Sequence, residues 1–395
     1  MLDLQQQPFA KYLLFTSLYF TEGIQLSITT VLIPIYLLET GFSPALTTMI
    51  AALAMLPWAL KFIFGYIINT AQSINLKTFT ILGGFISSIS LLLLSTITPN
   101  TILFLFILLI IIAQCGIGFL DVSTDAWAID TTKKQEHGRI NGFMMAGLFA
   151  GIAIGAPFLT FIAEHIEYSI AFLTAGILNL SILFTAFLTK KPSYFNRKTP
   201  LLKTLKQEFK QKKTQAIALL LPILSINSGI ITLAVPLFMS LQLDLSIAQI
   251  GLITTVFTVS RVIGSITCGT LSDKLGRQQT LLLIISLSII ATALLLIVTT
   301  WIILLPIYGL LGFLNGGLFS VLLATSMDIT NFKISAIQFS ILISFMNSGE
   351  LIGEFISGPI LTIAGFNKLF LFAAWILGPS LLFIYISRSS KLIPH

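Results

Sequence analysis

Twelve stretches of this chain, each longer than twenty residues and almost without charge, leave it few ways to fold. They run 12–38, 44–69, 77–97, 101–130, 139–163, 168–189, 216–242, 246–272, 278–299, 301–327, 335–363 and 367–388. A helix needs about 20 apolar residues to cross the hydrocarbon of a bilayer, and every stretch meets that length. An all-α membrane protein with twelve transmembrane helices is therefore predicted. Only 9% of the residues are charged, against about 25% in a soluble domain. The polar opening MLDLQQQPFAK leads straight into a full-length apolar run, which is too long for the apolar core of a cleaved signal.

The connections are short except one. Between Lys190 and Lys213 stand nine Lys/Arg residues and one Glu, whereas the whole chain carries a net charge of +7. The basic balance is thus confined to a central linker, and it reads as a topology and lipid-headgroup signal with no nucleic-acid partner implied. The expected organisation is a six-helix bundle over residues 1–189, a basic linker over 190–215 and a second six-helix bundle over 216–395. With both termini placed in the cytoplasm, 19 of the 22 Lys/Arg residues fall at cytoplasmic loops or tails. Lys368 falls outside, and Lys61 and Arg261 lie within spans. That distribution follows the positive-inside rule and predicts a multi-pass protein with both termini in the cytoplasm; the leucine-, isoleucine- and lysine-rich composition points to a prokaryote and hence to the cell (inner) membrane. In the linker, Leu202, Leu205 and Phe209 line up as one face of a short amphipathic helix on the inner leaflet, with a flexible basic tether as the alternative.

Carboxylates and ammonium groups at membrane depth cost roughly 3 kcal/mol each even on lenient scales, and they face a bundle interior or a watery cavity. This chain retains seven: Glu22, Lys61, Asp121, Asp125, Arg261, Glu350 and Glu354. The third, sixth, ninth and twelfth spans have none in their interiors, as a three-helix repeat used four times would produce, and those four helices are expected to face lipid. Counted along the helices, Lys61 and Asp121 lie at one level, about 12–13 Å from the cytoplasmic side, and can pair; Lys61 with either Asp121 or Asp125 can equally be a structural ion pair that fixes the second and fourth spans. Glu22, Arg261 and Glu350 fall nearer the midplane and form a candidate binding site. Glu22 has no evident cation nearby and is the candidate proton carrier. Glu350 and Glu354 lie on one helical face and can share a proton or pair with Arg261. Arg261 in turn either holds an acid permanently or takes an anionic substrate with its two-pronged guanidinium. Two cysteines, both within apolar segments, and three histidines expected in solvated loops or the tail imply no disulfide framework and no metal site. No Gly-rich phosphate loop or catalytic constellation is present, so neither an enzyme nor a cofactor is expected.

The turn GTLSDKLGRQQ resembles the G-x-x-x-D-x-x-G-R signature of the major facilitator superfamily through Gly269, Asp273, Gly276 and Arg277. The resemblance implies two six-helix bundles and a latch on the cytoplasmic side. The equivalent first-half turn has Asn69 where the family has Asp, so that latch is expected to be absent or altered. YFTEGIQLS, LPWALKF and DVSTDAW resemble motifs of a narrower branch, the muropeptide permeases and acetyl-coenzyme A transporters. In the fifth span, GLFAGIAIGAP resembles the glycine-proline motif of drug/proton antiporters, or else marks close helix packing. Gly309, Gly312, Gly316 and Gly317 with Pro306, like Pro222 and Pro236, suggest bending helices.

These readings predict a monomeric secondary transporter working by alternating access, in which protons drive uptake of a polar, partly anionic metabolite. Muropeptide-like or acyl-coenzyme-like substrates are implied by resemblance alone. A proton-coupled exporter of amphipathic compounds is the alternative within transport, and a non-transporting receptor or scaffold is the alternative outside it.

Overall fold

The computed structural model describes residues 4, 7–71, 74–189 and 200–390. Residues 190–199, the first part of the predicted basic linker, and both extreme termini lie outside the described residues. Among those described, the chain is nearly all helical apart from short connections, with no strand.

The first half forms α1 (Pro8–Ser27), a π-helical turn (Ile28–Leu32), α2 (Ile33–Glu39), α3 (Pro44–Ala59), α4 (Lys61–Thr70), α5 (Leu76–Leu94), α6 (Leu103–Thr131), α7 (His137–His165) and α8 (Tyr168–Phe187). The second half continues with α9 (Leu201–Glu208), α10 (Lys212–Leu241), α11 (Ile247–Leu275), α12 (Arg277–Leu294), α13 (Trp301–Ile329), α14 (Ser335–Trp375) and α15 (Leu377–Ser390). α1 through α2 make one passage, and α3 with α4 make another. Eleven stretches are long and apolar enough to cross a membrane, and the last, Phe332–Ile386, spans 55 residues. That stretch is broken at Gly365, whose φ of 77° leaves the helical region, so it holds two passages. Twelve passages result.

The local sequence explains most boundaries. Ser43 and Asn75 accept the backbone N–H groups of Leu46 and Thr78, capping α3 and α5. Ser246 and Gln249 form a reciprocal capping box at the start of α11. Pro57 removes one helical donor just before the chain leaves helical geometry at Leu60, which separates α3 from α4. α13, by contrast, runs through Pro306 as one helix, and α10 through Pro222 and Pro236.

The helices gather into two compact units. Unit 1 comprises Met1–Thr132, Gly147–Leu201 and Phe332–Ser340; unit 2 comprises Lys133–Ala146, Leu202–Asn331 and Ile341–His395. In unit 1, α7 lies against α1 through small residues. A side chain at Gly23 would strike the backbone of Leu148 and Gly151, and one at Gly151 would strike Phe20 and Gly23. In unit 2, α14 meets α10 in the same manner, with Gly349 against Pro222 and Gly353 against Ile226. Without a hydrophobic drive inside lipid, such close backbone contact is what binds spans together. An aromatic knot of Tyr36, Phe106, Tyr168 and Phe172 fills part of the unit 1 core, with Tyr36 stacked on Tyr168 at 4.1 Å.

Large apolar side chains elsewhere stand fully outward, among them Ile363 at 87% and Phe355 at 81% exposure. In water such a surface would aggregate; in hydrocarbon it is the expected exterior. Burial does not single out the charge-free spans as lipid-facing: 56% of the apolar window of α5 is buried, against 28% for α11, which carries Arg261.

Candidate functional site

Unit 1 carries a buried polar cluster drawn from three spans. α1 supplies Tyr19 and Glu22, α4 supplies Lys61, and α6 supplies Asp121 and Asp125. All five are 4% exposed or less. The Lys61 ammonium pairs with Asp121 at 2.6 Å, as their matched depth allows. The Tyr19 hydroxyl donates to the Asp125 carboxylate. Glu22 lies within electrostatic reach of Asp121, Lys61 and Asp125, and its Oε1 has no hydrogen-bond partner among the described residues. The expectation that Glu22 lacks a nearby cation is thus corrected. Lys61 sits on a different helix, and only the folded packing of α4 against α1 and α6 brings it close. Three carboxyls face one ammonium, so the cluster can take up and give back a proton.

A chain of polar side chains extends this cluster. The Lys61 ammonium stands 4.1 Å from the centre of the Trp58 ring. The Trp58 indole N–H donates to Gln114 Oε1 at 2.8 Å, and the Gln114 amide donates to the Thr29 hydroxyl. Thr29 lies in the π-helical turn, and Lys61 begins α4 directly after the break at Leu60. Two backbone irregularities therefore flank the network, and π turns recur at functional sites. Trp58, Gln114 and Thr29 are not evident in the sequence as site residues, because they are uncharged and of types common in spans.

Unit 2 carries a second cluster. The Arg261 guanidinium of α11 lies 5.6 Å from the Phe257 ring and 5.7 Å from the Phe319 ring. Phe257 in turn stacks on Tyr308 at 4.4 Å. Glu350 of α14 interacts electrostatically with Arg261, and Glu354, one turn further on, with Glu350. A guanidinium stacks readily on aromatic rings, and its planar fork matches a carboxylate or phosphate.

At the turn between α11 and α12, Gly276 adopts a φ of 89° that a side chain would strain. Asp273 there accepts the backbone N–H groups of Gly138 at 2.8 Å and Arg139 at 2.7 Å, closing the first turn of α7. Arg277 donates to Asp273 at 2.7 Å, to Asp328 at 2.9 Å and to the Lys134 carbonyl at 3.1 Å. His137 Nδ1 lies 2.7 Å from the other Asp328 oxygen, and its side chain is 3% exposed. His137 is therefore not the solvated loop residue that its place between two spans suggests. Asp328 escapes the sequence reading because it stands one residue beyond the apolar run. Gly269, the first position of the signature, packs against the backbone of Gly138, so the whole motif serves one contact. The first-half counterpart is altered and not lost: Asn69 Oδ1 accepts the Ile337 backbone N–H at 2.8 Å. The glycines of the fifth span, Gly147, Gly151 and Gly155, abut α1, which accounts for them as packing residues.

The sequence profile of the Major Facilitator Superfamily matches residues 15–227 and again residues 217–394. The chain belongs to this superfamily. It is a membrane transporter and not an enzyme, and the turn at Gly269–Arg277 lies within the second matched stretch. Solved structures of other superfamily members share its fold. The E. coli fucose:proton symporter FucP superposes with a TM-score of 0.78 at 13% identity, over 95% of this chain and 98% of that one. The human organic anion transporter MFSD10 gives 0.77 at 12% identity, over 96% and 100%. A bacterial homologue of the iron transporter ferroportin gives 0.70 at 14%, over 96% and 99%. At such identities the likeness is one of fold.

Proposed function

We propose that this major facilitator protein couples proton entry to the uptake of a polar, partly anionic metabolite by alternating access. The observation that carries this reading is the unit 1 cluster, where Glu22, Asp121 and Asp125 surround Lys61 inside apolar spans. So many carboxyls in hydrocarbon serve no packing purpose that one ion pair would not meet. Their excess over the lysine gives a site whose protonation changes its charge and hence its match to a substrate. Glu22 is the proton carrier in this reading, with Asp121 and Lys61 the pair against which its charge is felt. Arg261, with Glu350 and Glu354, receives the anionic part of the substrate. A proton-coupled sugar transporter and an organic anion transporter are both built on this fold. The motifs at Tyr19–Ser27, Leu56–Phe62 and Asp121–Trp127 favour muropeptide-like or acyl-coenzyme-like substrates. The Lys/Arg-rich loops support an orientation with both termini, the linker and the latch on the cytoplasmic side; a single copy in the cell (inner) membrane belongs to the same proposal.

The test is transport in proteoliposomes with an imposed proton gradient, using muropeptides, acyl-coenzymes and sugar acids as candidates. Glu22→Gln is expected to abolish gradient-driven accumulation and to leave exchange of labelled for unlabelled substrate intact. Accumulation that persists in that variant removes Glu22 from the coupling step. Resistance to toxic lipophilic cations on expression, with no uptake of any candidate, points instead to export.

A further inference from the structure

A cavity of about 440 Å³ lies beside the latch in unit 2, within the roughly 300–1,000 Å³ of small-molecule pockets. Its wall is assembled from four separate segments, one of them the end of α13 with Asp328 and Ile329. Lys134 and Gln135 come from the turn ahead of α7, Gln211 and Lys213 from the start of α10, and Arg277 from the latch. The α10 side is held in place. Glu208, at the end of α9, accepts the Asn331 amide at 2.8 Å with one oxygen and the Gln211 amide at 2.5 Å with the other.

The charges of this cavity do not cancel. Two carboxylates line it, Asp273 and Asp328, and all four of their oxygens are engaged by Arg277, by His137 and by the backbone N–H groups of α7. The Lys134 and Lys213 ammonium groups, in contrast, have no carboxylate within 4.0 Å among the described residues, and both side chains belong to exposed residues on different segments. The cavity is thus lined by two ammonium groups without a carboxylate partner, two glutamine amides and a buried guanidinium, while its carboxylate oxygens are already engaged. The balance is positive, three cations against two carboxylates, and it favours an anion. A carboxylate has one charge and one plane; a phosphate has two charges and oxygens in several directions, which is what donors from three segments require.

We infer that this cavity is a binding site for a phosphate group, separate from the ionisable clusters within the spans. A bound phosphate bridges Lys134 ahead of α7 to Lys213 at the head of α10 and adds a third tie to the contact that Asp273 and Arg277 already make. The group can come from a soluble phosphorylated compound or from the headgroup of an anionic phospholipid, since both present the same oxygens.

The test uses the full-length protein purified in detergent. Thermal unfolding is followed while sodium phosphate is titrated against sodium chloride at matched ionic strength. The expected result is a saturable rise in midpoint with phosphate alone, weakened at least tenfold in Lys134→Gln/Lys213→Gln. Lys203→Gln/Lys206→Gln, which removes the same charge from α9 outside the cavity, is expected to respond like the parent. In a second arm, protein from vesicles of phosphatidylglycerol and phosphatidylcholine is extracted and its retained phosphatidylglycerol measured. Retention by the parent but not by Lys134→Gln/Lys213→Gln, reversed by free phosphate, also supports the site and names lipid as the source. The inference is overturned if phosphate and chloride act alike and lipid retention is equal in parent and variant. It is likewise overturned if the two double variants lose the response equally.

Discussion

Asn69 Oδ1 accepts the backbone N–H of Ile337 at 2.8 Å, just as Asp273 accepts those of Gly138 and Arg139. Each residue ends the second span of a bundle-half and closes the first turn of another helix, α14 or α7. What the cap requires is an acceptor, not a charge. Asn69 adds a longer contact of its own, donating to the Lys333 carbonyl at 3.5 Å.

This geometry predicts that Asn69→Asp keeps the fold. The acceptor survives, and a carboxylate at a helix N-terminus adds about 0.3–1 kcal/mol, offset in part by the lost donor to Lys333. Asn69→Leu should instead lower stability by about 1 kcal/mol, the usual worth of such a cap. Thermal unfolding of the two purified variants checks both. A loss in Asn69→Asp as large as in Asn69→Leu would show that the amide donor matters more than the acceptor.

For the Lys61–Asp121 pair, 2.6 Å apart and buried, the prediction is asymmetric. Lys61→Met leaves three carboxyls with no cation and should cost about 3–5 kcal/mol. Lys61→Met/Asp121→Asn removes both charges and should recover most of that loss. Unfolding midpoints of the single and double variants measure the recovery. Accumulation should stay impaired in the double variant even where stability returns, because the cluster has lost a member of its charge balance.

The Trp58–Gln114–Thr29 chain gives a milder expectation. Gln114→Leu leaves the Trp58 indole N–H, which now bonds at 2.8 Å, without its acceptor, at a cost of about 1–3 kcal/mol. Gln114→Glu keeps an acceptor there but adds a fourth carboxyl near Lys61. It should fold better than Gln114→Leu and shift the pH dependence of transport, which a pH series of initial uptake rates would register.

How far the chain could be read in advance follows from which forces are local. Span lengths and the depth match of Lys61 with Asp121 depend only on residue type and helical rise, so they stand in the sequence. The signature at Gly269–Arg277 is equally legible, because its glycines and charges sit at fixed offsets in one turn. What a single stretch does not carry is what a neighbouring helix brings to it. His137 looks solvated until Asp328, 191 positions away, is folded against it. Glu22 looks alone until α4 delivers Lys61. Trp58 and Gln114 look like ordinary span residues until the π turn of the first passage sets Thr29 within reach. The glycines of the fifth span are ambiguous in isolation and become packing residues once α1 lies on them.

Arg261 separates a structural from a substrate-binding reading. Its guanidinium lies within 6 Å of both Phe257 and Phe319 and interacts with Glu350. Arg261→Lys keeps the charge, and with it the attraction to Glu350, but loses the planar fork and much of the stacking. If the residue only neutralises Glu350, the lysine variant should transport with unchanged KM. If it grips an anionic substrate with two parallel bonds, KM for anionic substrates should rise about tenfold, the loss of roughly 1.4 kcal/mol that one charge-assisted hydrogen bond supplies. Neutral analogues of the same substrate should then be unaffected, since they never used the second bond. Equal losses for charged and neutral substrates would place Arg261 among the residues that shape the bundle, and would leave the anionic preference without its main support.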